Sequence, residues 1–429
     1  MSLLTSFLKD KKNAPLTRSI DAIVGDDVSI EVLKGLFPIR NYDSEKLSAF
    51  ASGLKSEIFP EKTALFYAGE RTDSALYLLD GTISLSDEQG KTYEIASGTG
   101  KAKFPLSSGS KHTTTAISKT RVSVLRVSQK IMSSKYAPLS EQSKLVIPGE
   151  LAKNKLLNSF AHYYLNEELE IPSLPGIAVK LQHAMQQDIG IADAVKIIQL
   201  DPVISAKLIG LANSPLYVST TPAKSCLEAV NRIGLNAARN LVIGLSLGRI
   251  FKSNSQLVNK CADKIWKQSL HIATLSHVLA ATTKQYNPQE ALLAGLVCDI
   301  GAVPFLSFAA KLPKDYCSET DIGLALPCVK GPVGYKILLD WGFSDDFLKV
   351  PLYSDDWYQN HGEELNLTDI VVLSRLHSKI GQGASELPTI TSIPAASKLK
   401  NFALSPEHSL NLLYEAKQQI NDAMKALDN

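Results

Sequence analysis

The chain has 429 residues, 45% of them hydrophobic and 21% charged, which is the composition of an ordinary folded protein. That length exceeds what one compact core serves, so two or three domains are expected. A formal net charge of +2 excludes polyanion binding by bulk charge and leaves such a role only to a local patch.

The N-terminal "MSLLTSFLKDKKNAP" has a short apolar patch soon followed by an acid and lysines, without a cleavage-site pattern. Residues 20–58 are predicted helical, from Leu33, Leu36 and Phe37 and then Leu47, Phe50 and Leu54 at spacings of three and four. Around Phe59 the pattern changes to short Thr-, Tyr-, Ile- and Leu-rich runs broken by Gly and Asp. "ALYLLDGTISLSDEQGKTYEI" predicts two strands around the hairpin signal "DEQG", after an earlier turn at "DG". "TTTAISKTRVSVLRVS" adds two more, and together these strands imply a small antiparallel barrel or jelly roll.

From about Leu145 onward the pattern is helical to the end, with a connector closing at Pro172 and Pro175. Asp201-Pro202 and Asn213-Ser214-Pro215 read as cap and turn chemistry, with Pro just inside a helix start. No βαβ rhythm and no fixed-period repeat occur. The longest apolar runs, such as "LVIGLSLGRIF", stop short of a membrane span. Five cysteines (Cys226, Cys261, Cys298, Cys317, Cys328), all in the second half and without a CxxC, read as buried free thiols of a reducing cytosol. A cytoplasmic protein without a membrane partner is expected.

The barrel region carries a charge asymmetry. Residues 101–140 hold eight Lys or Arg and no Asp or Glu. Two readings stay open: a positive face for an anionic ligand or partner, or outward strand positions that carry cations to blunt sheet edges.

"FYAGERTDSALYLLDGTISLSDEQGKTYEI" resembles the opening strands of the cyclic-nucleotide-binding domain family, a jelly-roll barrel, through Gly69-Glu70, the Leu76–Leu79 strand and Gly81. The resemblance covers about residues 30–135. It implies a phosphate cassette, with a Glu for the ribose and an Arg for the cyclic phosphate. The matching "GKAKFPLSSGSKHTTTAIS" has Pro105-Leu106 after Phe104 and no Glu, and the Arg position falls near Lys111 or His112. Lys101, Lys103, Lys111 and His112 are the ligand-binding candidates, for a cyclic mono- or dinucleotide.

The second half closely resembles the HDOD family, the HD-related output domain of bacterial signalling proteins. Pro172-Ser173-Leu174-Pro175, Asp201-Pro202, Leu211-Ala212-Asn213-Ser214, Ile233-Gly234-Leu235, "EALLAGLVCDIGAV" and "VGYKILLDWGFS" carry it, in order, over about residues 165–425. HD phosphohydrolases bind divalent metals through several imidazoles and carboxylates. On this sequence the corresponding positions are Gln268, the doublet Cys298-Asp299, the region of Lys330, then Ser354, Asp355 and Ser374. Only Asp299 keeps the signature, and His271 and His277, six apart, face opposite sides of a helix. The implied site is degenerate: no catalytic residue, no metal, no cofactor. Asp299 then needs another partner, either a helix N-terminus or Lys330, because a buried carboxylate without one is costly.

The expected architecture is α+β and multidomain: an arm (1–29), a cyclic-nucleotide-binding-like barrel with flanking helices (30–140), a helical connector (141–168) and an all-α HD-like HDOD domain (169–429). The expected role is non-catalytic signalling through protein partners, with Asn213, Ser214, Trp357 and Tyr358 as interaction candidates. A metal-dependent phosphodiesterase is the weaker alternative. Nucleic acid ranks last, since neither half shows a helix-turn-helix or a basic recognition helix.

Overall fold

The computed structural model describes residues 22–400, apart from 43, 88–89, 130–142, 167–171, 218–220, 248–254, 314–316 and 381–385, together with residue 421. The chain divides into two compact units. Described residues 22–129 and 386–397 make up the first, and 143–380 with 398–400 and 421 the second.

The first unit is a pair of four-stranded antiparallel sheets. Strands β1 (Ile23–Asp27), β2 (Lys55–Phe59), β4 (Ser74–Asp80) and β8 (Val122–Ser128) form one sheet in the order β1-β2-β8-β4. The other has β3 (Ala64–Phe66), β5 (Thr82–Ser86), β6 (Thr92–Ala96) and β7 (Thr115–Ser118) in the order β3-β7-β5-β6. β5 and β6, the strands on either side of "DEQG", pair antiparallel in register, with Ile83 opposite Ile95 and Leu85 opposite Tyr93. The "DG" turn instead carries the chain from one sheet to the other. Gly81 there has φ +89°, and a Cβ would lie 2.5 Å from the Arg121 carbonyl, so this corner requires glycine. Inward residues of both sheets, among them Phe59, Leu76, Leu78, Ile83, Leu85 and Val124, pack one core.

The stretch predicted helical at 20–58 is only partly so. Helices α1 (Ile30–Gly35) and α2 (Ser44–Ala51) lie within it, but β1 and β2 flank them. β1 falls in the expected arm. Four of its five residues are exposed, so no hydrophobic alternation announces it, and its pairing with β2 is what makes it a strand.

The second unit is helical. Its elements are α3 (Lys155–Leu165), α4 (Gly176–Gln186), α5 (Ile191–Ile198), α6 (Pro202–Ala212), α7 (Cys226–Ile233), α8 (Leu235–Leu247), α9 (Gln256–Thr283), α10 (Pro288–Val297), α11 (Ala302–Lys311), α12 (Glu319–Asp340), α13 (Asp345–Tyr353) and α14 (Leu367–Lys379). Asp201 caps α6 through Oδ1, which accepts from Val203 N at 3.0 Å and Ile204 N at 3.1 Å, with Pro202 opening the helix.

One expectation about apolar length is corrected. Pro288–Lys311 and Glu319–Asp340 are long and apolar enough to cross a membrane by length and composition. In the first, 89% of the most apolar window is buried within the protein, and the helix is interrupted between Val297 and Ala302.

The chain does not stay helical to its end among the described residues. Residues 386–397 rejoin the first unit, ending in the short α15 (Pro394–Ser397), although they fall inside the expected 169–429 domain.

Candidate functional site

The break between α10 and α11 presents Cys298 and Asp299, both buried. α11 begins against the backbone of α12: a Cβ on Gly301 would lie 2.1 Å from the Lys330 carbonyl oxygen. Glycine therefore permits the approach that sets the Lys330 side chain beside Asp299. Of the two partners expected for Asp299, the structure gives Lys330, whose Nζ donates to Asp299 Oδ1 at 2.8 Å.

A second cation completes the site. Arg375, on α14 and only 1% exposed, donates from Nη2 to Asp299 Oδ1 at 3.0 Å, to Ser354 Oγ at 3.2 Å and to Cys298 Sγ at 3.1 Å. Asp355, just beyond α13, closes the group. Its Oδ2 is 2.5 Å from Lys330 Nζ and its Oδ1 is 3.4 Å from Arg375 Nη1. Asp355 forms the rim, with 41% of its side chain exposed. Two carboxylates thus face two cations. Gln268 is half-buried on α9 and bonds to neither carboxylate among the described residues.

The electrostatics fix the protonation states. Burial alone would raise the Asp299 carboxyl, but the Arg375 guanidinium and then the Lys330 ammonium outweigh it and hold the group well below the usual carboxylate range. Burial would likewise raise Asp355, and the same two cations lower it. Burial and the adjacent Asp299 charge push the Cys298 thiol up to about 12. Burial works against the Lys330 ammonium, and Asp299 and Asp355 raise it nonetheless.

These states limit the chemistry available near neutral pH. A carboxylate locked in its ionised form by two cations is a poor general base, whose affinity should lie near the working pH. A thiol that stays protonated is not a nucleophile. A divalent ion needs three or more convergent neutral or anionic donors. The positions matched to HD ligands supply an amide (Gln268), a thiol (Cys298), a carboxylate already bonded twice (Asp299), an ammonium (Lys330), two hydroxyls (Ser354, Ser374) and a second carboxylate paired with the same two cations (Asp355). These residues do not fit the metal. Among the described residues no group of three or more His, Cys, Asp or Glu side chains could hold one.

A second buried ion pair braces the same helix. Asp369 and Asn366 form the capping box of α14, and Asp369 also accepts from Lys398 Nζ at 2.9 Å and Gln359 Nε2 at 2.7 Å. Arg375 lies six residues further along, less than two turns away.

The interaction candidates have internal duties. Asn213 clamps the loop before α7: its Nδ2 donates to Ala223 O at 2.9 Å, and its Oδ1 accepts from Ala223 N at 2.7 Å and Arg232 Nη1 at 2.9 Å. Ser214 is buried. Tyr358, expected at an exposed contact, is buried as well, because the chain after α13 turns its ring inward. Trp357 is half-buried under Lys379, whose Nζ is 5.0 Å from the ring centroid.

In the barrel unit the four ligand-binding candidates do not converge on one free cationic site. Lys101 and Lys111 are exposed, Lys101 lying 5.9 Å from the Tyr93 ring centroid. Lys103 pairs with Glu386 at 2.5 Å. His112 is buried, stacked 3.9 Å from Phe66, and hydrogen-bonded to Ser107 Oγ at 2.9 Å. Burial pushes its ring down to about 4, so it carries no charge near neutrality. Two more members of the basic run are also matched: Lys119 with Glu94, and Arg126 bidentate to Glu57 at 2.8 and 2.9 Å. Lys130 and Lys135 lie outside the described residues.

Fold and site define a two-part protein: a jelly-roll barrel, and a helical unit of the HD type whose signature Asp is held by protein cations. The helical part can be named more closely. Residues 171–356 match the HDOD domain family, and this stretch is an HDOD domain. Over 167 residues the chain is 26% identical to an uncharacterized protein of Treponema pallidum (strain Nichols), a match covering 38% of this chain and 32% of that one. The chain thus spans about a third of the length of that curated relative. A solved structure from Shewanella amazonensis SB2B, named as a conjectured metal-dependent phosphohydrolase, superposes with TM-score 0.55 at 23% identity, covering 64% of this chain and 99% of that one. A cyclic-nucleotide-binding-like protein from Brucella abortus covers 24% of this chain and 92% of its own, with TM-score 0.20 at 22% identity.

Proposed function

We propose that this protein is a non-catalytic signal-transduction component, in which a sensor-like barrel is joined to an HDOD domain that binds partner proteins. The observation that carries this reading is the occupation of Asp299 by Lys330 and Arg375. The only signature residue retained from the HD site is spent on internal ion pairs, and among the described residues no imidazole bonds to it. What the helical unit offers to other molecules is then its surface. Leu200, Val203 and Leu227, at the α5–α6 corner and on α7, are large apolar side chains exposed there.

Metal analysis of the purified full chain, paired with phosphodiesterase assays on a panel of cyclic and linear dinucleotides, tests the non-catalytic part. The expected result is substoichiometric iron, manganese and zinc and no turnover with added metal. Stoichiometric metal with turnover abolished in Asp299→Ala would overturn it. For partner binding, proteins captured by the wild type and by Val203→Glu/Leu227→Glu are compared. A specific partner lost from the variant, whose unfolding temperature is unchanged, is expected; equal capture by both removes this surface from the proposal.

A further inference from the structure

The loop after β6 that matches the phosphate cassette is covered by a distant stretch of the same chain. Residues 386–397 belong to the barrel unit, and Ile390, Thr391, Ser392, Ile393, Ala395 and Ala396 are buried. Cassette hydroxyls meet the backbone of the stretch: Thr113 Oγ1 donates to the Thr391 carbonyl at 2.6 Å, and Ser108 Oγ to that of Ser392. Tyr93 on β6 shares a 2.6 Å hydrogen bond with Thr391 Oγ1. The Glu386 carboxylate takes the cations at the edge of this surface, Lys103 at 2.5 Å and Arg40 at 3.5 Å. At the other end Gly109 leaves room for Ser397: a Cβ on it would lie 2.2 Å from Ser397 Oγ and 2.4 Å from Ser397 Cβ.

This is a built receptor for a short polypeptide segment that carries a 3-10 turn (Ile390–Ser392) and the α15 turn. The anchors are side-chain donors aimed at main-chain carbonyls, a carboxylate between two cations, and a glycine shaped to one end. Of the four cassette candidates, Lys103 is already paired with Glu386 and His112 is buried and stacked on Phe66, which leaves only the exposed Lys101 and Lys111 to an anionic nucleotide. We infer that the ligand of the barrel is a peptide, the chain's own 386–397 stretch, and that it excludes cyclic nucleotides from the cassette while seated. The chain leaves the helical unit for this stretch and returns to it at Lys398, so the occupant is tethered at both ends. The inference stands whether or not the HDOD domain proves catalytic.

Hydrogen–deuterium exchange of the full chain tests it. Amides of residues 390–396 are expected to exchange at least about 100-fold more slowly than an unstructured peptide, and millimolar cyclic AMP, cyclic GMP or cyclic di-GMP should leave those rates unchanged. Gly109→Ala drives a methyl into Ser397 and should speed exchange of 390–396 about tenfold or more while β4 and β8 stay protected. Gly109→Ala/Ser397→Gly removes the clash and should restore the slow rate. If Gly109→Ala also deprotects β4 and β8, Ser108→Ala/Thr113→Val provides the second route, with about tenfold faster exchange of 390–396 alone. Free-peptide exchange rates for 390–396 in the wild type would overturn the proposal. So would unchanged protection in both variants, or a nucleotide that protects the cassette while the stretch stays protected.

Discussion

The two units satisfy the groups at their family-matched positions with different materials. In the helical unit the filling is made of side chains: Lys330 and Arg375 extend from helices that the fold needs anyway and end on Asp299 and Asp355. In the barrel a length of main chain covers the cassette, with Glu386 on Lys103 and Arg40. A side-chain filling leaves only if the helices themselves part. A seated segment is held by a few hydrogen bonds and can exchange while the sheets beneath stay intact. The first kind of replacement is structural, and the second keeps the means of being switched.

The comparison breaks most clearly at Arg375. Arg375→Ala leaves Asp299 buried with only Lys330, and the helical unit is expected to lose about 3–5 kcal/mol in denaturant unfolding. The double variant Asp299→Leu/Arg375→Met, which removes both charges of one pair, should be far closer to wild type than the sum of its single changes. Strict additivity would show that the pair is not coupled.

Acid should separate the units by a smaller margin. Burial pushes His277 in the helical unit down to about 4, as it does His112 in the barrel, and His361 in the helical unit is lowered to about 4 by burial, then Lys349 and Lys398. With folded values below the unfolded 6.5, the unfolded chain binds protons first. Stability is therefore complete above pH 6.5 and is lost as pH falls toward 4, by on the order of 3 kcal/mol for a well-buried ring. Burial lowers His271 and His377 as well, so four depressed rings in the helical unit against one in the barrel predict that helical circular dichroism fails at a higher pH than the barrel's strand protection. His277→Phe should shift that midpoint downward.

Smaller effects belong to local contacts. Asp201→Ala removes the cap of α6 and should cost about 1 kcal/mol. Glu94→Ala, which frees Lys119 on the barrel surface, should cost less than about 1 kcal/mol and lose even that in high salt. A larger cost for Glu94→Ala would mean that the basic face depends on its acid partners more than exposed pairs usually do.

How much of this could be read beforehand follows from the range of each signal. Asp201-Pro202 is a contiguous cap, and it formed as spelled. Asp299 was marked by its surroundings, an apolar run closing on one carboxylate, and a buried charge requires a counter-ion wherever it lies. The HD pattern points to Ser374 and not to its neighbour Arg375, although Arg375 is the one fully charged residue in "DIVVLSRLHS" after the capping Asp369, on a helix buried all round. A cation in such a run needs an acid from another helix, and that was the usable signal. The 386–397 stretch offered none. It has neither helical nor strand period, and its partners lie nearly 300 positions earlier. The acid partners of the basic run at 101–126 lie beyond local reading for a related reason, since Glu57, Glu94 and Glu386 reach it from three separate parts of the chain.

Lys330 and Arg375 have a consequence for the living cell. A domain braced by an inorganic ion is complete only when that ion has been delivered, so its abundance follows uptake, storage and starvation. Here the brace is encoded in the polypeptide and is present as soon as synthesis and folding end. The Asp299 site then needs no delivered ion to balance its buried charge.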